Sequence, residues 1–459
     1  MLKEIAARLP AEQLEKNFSD INPPLTPALA LEEGSRCLFC HDAPCIKACP
    51  TGIDVPQFIR QILTNNLKGS ARTILSANIL GHSCGRVCPT SVLCEGACVL
   101  NEEGKKPVEI GRLQRYSVDY VLDRGIQVLS KAPENGRRVA LIGAGPASLS
   151  CAATLRQLGY AAVIFDSRPA PGGLNTYGIA AYKMRASDAV KEVEMIKELG
   201  VEVRNCVEIG KDITLAGLEK EFEAIFVGAG LGETDDLGIP GEELEGCVDA
   251  LSFIETTKTA ALHDIEIGKR IAVIGGGNTA VDVVTAARRL GADEVYMVYR
   301  RGPEEMSAFA YEYDLAKKDG TTFVWHAAPV RILANPLGQV EALECMRTRI
   351  AEGKAGTPPR PEPVPGSEFR LEVDMVVKAL GQNKKTGFLH TIPGLQTSAG
   401  RVVVNPETMQ TTNPKYFAGG DCVNGGGEVV DAAAHGKRAA SGIHAALNAH
   451  AVTGGAEHA

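Results

Sequence analysis

The sequence predicts an α/β protein that opens with an all-helical domain, and three observations carry that prediction. Eight of the 13 cysteines fall between Cys37 and Cys98, in a region with helical but no strand periodicity. Two later segments repeat one pattern at nearly equal spacing: buried strand, glycine turn, helix, strand. A further strand-to-glycine turn comes near the C-terminal end, before a long alanine-rich helix.

At roughly 150 residues per domain, 459 residues allow about three domains. Hydrophobic residues at 44% and charged residues at 23% are ordinary for a soluble globular chain. Lys and Arg total 48 against 56 Asp and Glu, a net charge of −8, which argues against a nucleic-acid binder. No run of about 18 apolar residues occurs, so no membrane span is expected. The start, MLKEIAARLPAEQLEKNF, is charged throughout and lacks the apolar core of a secretory signal. A cytoplasmic enzyme is expected, in which a local cysteine cluster binds metal rather than forming disulfides.

Residues 1–135 read as helical; VPQFIRQILTNN and GRLQRYSVDYVLDRG place apolar residues at helical spacing. KAPENGRR (131–138) is a polar, Pro- and Gly-bearing linker. RRVALIGAG (137–145) is a buried strand, PASLSCAATLRQLG (146–159) a helix with a glycine stop, and AAVIFD (161–166) the next strand. The second copy is KRIAVIGGGNTAVDVVTAARRLGADEVYMVYRR (269–301). AGTPPRPEPVPG (355–366) is too proline-rich for regular structure and is expected as an exposed loop between strands. KYFAGGD (415–421) is the last strand-to-glycine turn.

The first glycine motif runs Gly143-Ala-Gly145-Pro146-Ala147-Ser148. Gly143 permits the tight turn, Gly145 lets a pyrophosphate approach the backbone, and Ser148 is small enough for helix–strand packing. Phosphates would sit on the helix N-terminus. Asp166 ends the next strand, where a carboxylate accepts from a ribose 2′-OH. The second motif is Gly275-Gly276-Gly277-Asn278-Thr279-Ala280. Its strand ends in Arg300-Arg301, where guanidinium groups would pair with a 2′-phosphate, so the site reads as NADPH-binding. The plainer alternative is that both arginines are a solvated strand end. Two dinucleotide sites of opposite charge logic imply a relay between one bound flavin and one exchangeable nicotinamide.

The cysteines form two groups: Cys37-x2-Cys40-x4-Cys45-x3-Cys49-Pro50 and Cys84-x3-Cys88-Pro89-x4-Cys94-x3-Cys98. Thiolates in fours suit Fe–S clusters or zinc. The neighbouring flavin and nicotinamide sites favour the redox metal, since zinc carries no electrons. His41 and His82 flank the groups and read as solvated or supporting residues, not ligands.

On these residues the chain resembles the N-terminal half of dihydropyrimidine dehydrogenase, with its bacterial electron-input subunit, and the glutamate synthase small subunit. CLFCHDAPCIKACPTGIDVPQFI, SCGRVCPTSVLCEGAC, ALIGAGPASLSCA and FAGGDCV are most similar to the dehydrogenase. The five residues between Cys88 and Cys94 match it too, where the glutamate synthase subunit has three. The resemblance implies a helical domain with two [4Fe–4S] clusters (1–135), then two nested Rossmann-like domains. The FAD domain (136–262 and 386–459) would be interrupted by an inserted NAD(P)H domain (263–385). It further implies Cys37, Cys40, Cys45 and Cys98 on one cluster, and Cys49, Cys88, Cys94 and Gln114 on the other. Cys84 is then a spare thiol. The segment Thr411 to Gly420-Asp421 resembles the second flavin motif of two-dinucleotide-domain flavoproteins, with Asp421 on the ribityl chain. Gly172-Gly173-Leu174 resembles their flavin-contacting loop, with Lys183 at the position of a usual Arg. A third arginine on the 2′-phosphate is replaced by Ser307, which makes NADH use plausible.

What the resemblance implies for function is electron input. NAD(P)H would reduce FAD, and electrons would pass through the clusters to an FMN-containing partner that reduces uracil or thymine to the 5,6-dihydropyrimidine. No acid–base catalytic group with convincing spacing is apparent, and none is needed. The rivals are a glutamate synthase small subunit, a stand-alone NADPH:ferredoxin oxidoreductase and a non-enzymatic redox sensor.

Overall fold

A computed structural model describes residues 5–351 and 360–453. The chain divides into two compact units. The larger comprises Ile21–Thr176, Lys183–Leu231 and Lys384–Ala459; the other comprises Met1–Asp20, Tyr177–Tyr182 and Gly232–Asn383.

The larger unit begins with helices Pro27–Ser35, Val55–Leu63, Leu67–Ala77, Gly81–Val87 and Ile110–Leu122. Three of them start on a capping side chain: Thr26, Asp54 and Asn66 accept the backbone N–H of Leu29, Gln57 and Gly69. Val55, Phe58, Ile59 and Ile62 line one face at helical spacing and are buried. They join Ile74, Leu75, Leu113, Val118 and Val121 in a core that runs on into Val139, Leu141 and Leu149 of the following α/β layer. The helical region and this layer therefore share one hydrophobic core.

That layer is a parallel sheet in the order Tyr416–Ala418, Ala224–Val227, Arg138–Ile142, Ala161–Phe165, Glu202–Arg204. Val139 to Ile142 are all buried, as expected of a central parallel strand covered on both faces. Helix Val429–Thr453 packs on helix Pro146–Gln157. The packing is close at Gly436, where any Cβ would strike the carbonyl of Ala147, and Ser150 Oγ donates to Ala433 O at 2.7 Å.

The other unit holds a second parallel sheet, in the order Cys247–Asp249, Met375–Lys378, Arg270–Ile274, Glu294–Tyr299, Thr322–Trp325. The fold is thus α/β with two nested Rossmann-like layers, since residues 232–383 fall between strands of the first sheet. Residues 5–20 belong with this unit, whereas the sequence places them with the helical domain. The reason is a small apolar anchor: Leu14 and Phe18 are buried, and Asn17 Nδ2 donates to Arg289 O at 2.8 Å.

An antiparallel sheet, Ala327–Ala334, Val340–Ala351 and Arg360–Glu372, completes the unit. Its last strand corrects the expected loop at 355–366; residues 355–359 lie outside the described residues, and Arg360 onward is strand. Pro361 and Pro363 pair in register with Ile350 and Thr348. Proline is tolerated there because the strand is an edge, where a missing N–H breaks no ladder on the open side. Among the described residues no helix is long and apolar enough to cross a membrane.

Candidate functional site

The cysteines line two cavities in the larger unit. Cys37, Cys40, Cys45 and Cys98 surround the first, among Ala43, Pro44, Val55 and Ile59. Cys49, Cys88, Cys94 and Gln114 surround the second, together with Cys84 and Val430. Cys45 and Cys49 sit four residues apart yet face different cavities, and so do Cys94 and Cys98. The spacer Pro89–Leu93 folds as a turn around Thr90, whose carbonyl accepts from Leu93, Glu95 and Gly96 at 3.2, 2.9 and 3.0 Å. Gln114 Nε2 donates to Gly81 O at 2.8 Å, which orients the amide of this buried side chain.

The electrostatics fit an iron–sulfur occupant. Burial, with the neighbouring Cys37 and Cys98 thiols, pushes the Cys45 thiol up to about 12. Burial and the thiols of Cys40 and Cys98 also raise Cys37, although the Phe39 N–H opposes them. The Cys84 thiol and burial raise Cys88, and burial raises Cys94. Thiolates crowded in an apolar wall repel one another, and iron would supply the missing positive charge.

In the same unit, the first glycine motif closes the strand Arg138–Ile142. Gly143 has φ +88°, and a Cβ there would lie 2.6 Å from Gly228 O. Gly173 has φ +57°, and its Cβ would lie 2.8 Å from the Cα of Gly145, so the Gly172-Gly173-Leu174 loop lies directly on the first motif. Gly172 N donates to Ala144 O at 2.9 Å. Asp166 accepts from Ala144 N at 2.5 Å and Arg168 N at 2.7 Å, so the expected ribose acceptor also buttresses the glycine turn. Ala147 faces Gly420, and Ser148 is fully buried against Gly228. Gly420 N donates to His435 Nδ1 at 3.2 Å, and burial raises the carboxyl of Asp421, which accepts from Gly427 N at 3.2 Å. Lys183 is half-buried, just beyond the point where the chain returns from the other unit.

In the other unit, Gly275, Gly276 and Gly277 follow the strand Arg270–Ile274 and lead into helix Asn278–Leu290, with Thr279 in its first turn. A Cβ on Gly276 would lie 2.6 Å from the Tyr299 ring. Ser307 Oγ donates to Gly276 O at 3.3 Å and Asn278 Oδ1 accepts from Phe309 N at 3.1 Å, so the segment after the strand folds over the glycine turn. Arg300 is exposed and Arg301 half-buried, and among the described residues neither guanidinium pairs with a carboxylate. Glu305 accepts from Gly302 N at 3.0 Å.

Residues 14–126 match the family described as dihydropyrimidine dehydrogenase domain II, 4Fe-4S cluster, and residues 137–436 match the pyridine nucleotide-disulphide oxidoreductases. The chain belongs to the pyridine nucleotide-disulphide oxidoreductase family. Its relatives include the glutamate synthase [NADPH] small chain of Halomonas elongata, 36% identical over 95% of this chain and 94% of that one. Another is the NAD-dependent dihydropyrimidine dehydrogenase subunit PreT of Salmonella typhimurium, 34% identical over 94% and 97%. The fold is also that of Mycobacterium tuberculosis FprA in complex with NADPH, at TM-score 0.57 and 20% identity over 71% of this chain and 87% of that one.

This oxidoreductase therefore uses [4Fe–4S] clusters, FAD and a nicotinamide dinucleotide. Several residues beside His82, which the sequence marked only as solvated or supporting, escaped sequence reasoning. His82 is fully buried, with Nδ1 2.9 Å from Asp119 Oδ1. Arg86 grips Asp119 with both terminal nitrogens, at 3.0 and 3.2 Å, and Arg115 Nε adds a third bond at 3.1 Å. Glu192 accepts from His82 N at 2.8 Å, Ser83 N at 3.1 Å and Ser83 Oγ. The only trace of these in sequence is charge at helical spacing, which usually marks a solvated face. Gly228 had a better signal: EAIFVGAG repeats the strand-to-glycine pattern of the motifs that were read.

Proposed function

We propose that this chain is the electron-input subunit of a bacterial-type dihydropyrimidine dehydrogenase, passing electrons from NAD(P)H to an FMN-containing partner that reduces uracil or thymine. The observation that carries the reading is the second cavity, where the five-residue Pro89–Leu93 turn brings Cys88 and Cys94 to a wall completed by Cys49 and Gln114. The bound groups supply a hydride acceptor and a one-electron relay. The chain's own residues hold them. Asp166 and the turn at Gly143–Gly145 would take the adenosine and pyrophosphate of FAD, with Gly173, Leu174, Lys183, Gly420 and Asp421 along the rest. Cys37, Cys40, Cys45 and Cys98 would hold one cluster and Cys49, Cys88, Cys94 and Gln114 the other. A Gln oxygen in place of a thiolate leaves that cluster one charge less negative, which favours its reduced form.

A second reading, the small subunit of a glutamate synthase, draws on the 36% identity to such a chain over almost its full length. Purification of the tagged chain from its own cells separates the two. Released FMN beside FAD, with a barrel-sized companion and NAD(P)H-dependent loss of uracil, supports the pyrimidine reading. A much larger companion with glutamine-hydrolysing activity would support glutamate synthesis instead. Reduction of free ferredoxin with no stable companion would replace both readings with a stand-alone reductase.

For the nicotinamide, Arg300→Glu combined with Arg301→Glu should raise the KM for NADPH roughly tenfold or more, through loss of charge-assisted bonds to the 2′-phosphate. The KM for NADH should stay within about twofold. Equal changes for both would overturn the 2′-phosphate assignment.

A further inference from the structure

The flavin-side loop and the wall of the second cavity are joined by a buried polar tie. Ser83 immediately precedes Cys84, which lines that cavity, and Gly81 in the same turn accepts from Gln114. Asn175 immediately follows Leu174 of the flavin-side loop, and its Nδ2 donates to Ser83 Oγ at 3.0 Å. Ser83 Oγ in turn donates to Glu192, on helix Ala186–Glu198, and the same carboxylate accepts from the backbone of His82 and Ser83. Ser83, Asn175 and Glu192 are 0%, 2% and 1% exposed. A buried carboxylate is costly unless its oxygens are filled by donors. Here the donors come from one turn, 82–83, so what the carboxylate pins is the start of the helix that carries Cys84 and leads to Cys88.

We propose that Ser83 and Glu192 are positioning residues that fix the flavin-side loop to the wall of the second cavity, and thereby set how fast electrons cross between the two sites. The inference rests on the reading that flavin and a cluster occupy these sites. For each NAD(P)H, two electrons enter with one proton as hydride; the electrons leave one at a time and the proton is released to solvent. Electron tunnelling falls steeply with separation, so a tie that removes slack between the sites acts on the rate of transfer and not on the hydride step. Asn175 is the flavin-side end of the tie, Ser83 its middle and Glu192 its anchor.

The test uses the anaerobically purified full chain with its iron and flavin, as parent, Ser83→Ala, Glu192→Gln and Glu192→Ala. Rapid mixing with NAD(P)H follows flavin bleaching and then loss of cluster absorbance. In Ser83→Ala, iron and flavin contents should match the parent and bleaching should stay within about twofold, while cluster reduction slows about tenfold, as small misplacements do. Glu192→Gln should fall between parent and Glu192→Ala, because its oxygen still accepts from His82 and Ser83. Amide exchange gives a readout independent of turnover: residues 82–83 and 174–176 should exchange faster together in Ser83→Ala. Cluster reduction at the parental rate in loaded Ser83→Ala and Glu192→Ala overturns the proposal, and so does faster exchange in 82–83 with none in 174–176. A parent chain that retains neither flavin nor iron would overturn the underlying site reading instead.

Discussion

Replacing Cys98 with serine is expected to remove the cluster proposed for the cavity that Cys45 lines, and replacing Cys49 the one proposed for the cavity that Cys88 and Cys94 line. Either change should halve the iron content, because serine oxygen is a poor substitute for a soft thiolate at these sites. The partition follows from the cavity walls, where each group of four along the chain contributes to both cavities. A sequential partition would instead group Cys98 with Cys94. Electron paramagnetic resonance of the reduced protein decides: Cys98→Ser and Cys45→Ser should lose the same signal and keep the other. If Cys98→Ser matched Cys94→Ser, the crossed arrangement would be wrong. Gln114→Ala should alter only the second signal, and Cys84, already in that wall, is the thiol available to replace it.

Replacing Asp119 with asparagine should destabilise the larger unit by about 3–5 kcal/mol, the usual cost of breaking a buried ion pair from one side. The carboxylate serves His82, Arg86 and Arg115 at once, and both His82 and Arg86 are buried. Burial alone would raise the Asp119 carboxyl, but the bond to His82 and the charge of Arg86 outweigh it and hold the group well below its ordinary value. Asp188 behaves alike: burial opposes, yet His82 and Arg86 bring it down to about 2. Burial would lower His82, and the carboxylates of Asp119, 2.9 Å away, and Asp188, 3.7 Å away, raise it instead. The signs give a window. Stability from Asp188 is full above its ordinary value of 3.8 and lost as pH falls through about 2. Stability from His82 is full below its ordinary 6.5 and lost as pH rises through its raised value. The network therefore contributes most between these ordinary values. In Asp119→Asn the alkaline loss should be smaller and complete at lower pH, since His82 loses its nearer carboxylate and its raised value falls back toward 6.5. Urea titrations followed by helical circular dichroism at several pH values check both points; an unchanged midpoint at pH 6 would sink the first.

Much of the α/β architecture was legible because its signals are local. Apolar runs ending in glycine at 143 and 275 announce a strand and a tight turn wherever they occur, and the structure has strands at Arg138–Ile142 and Arg270–Ile274. The helix Pro146–Gln157 begins on proline and stops before Gly159 at φ +89°, both readable in sequence. The strand Arg360–Glu372 was not legible, because proline forbids a central strand but not an edge, and edges are defined only by neighbours. The anchoring of residues 5–20 was equally hidden, since Leu14 and Phe18 fit any apolar surface.

By itself the sequence determined the elements, the donor types and the two glycine turns, all of which depend on residues within a few positions of one another. Tertiary structure decided which donors meet. Cys45 and Cys98 reach one wall and Cys49 and Cys94 the other, although their spacings look alike on paper. Tertiary structure also made Asp166 a brace for the glycine turn and gave the buried Glu192 its donors 109 and 110 residues away. A carboxylate in a helix carries no mark of burial in its neighbours. Its fate depends on what packs over it, and only the folded chain brings the 82–83 turn there to fill its oxygens.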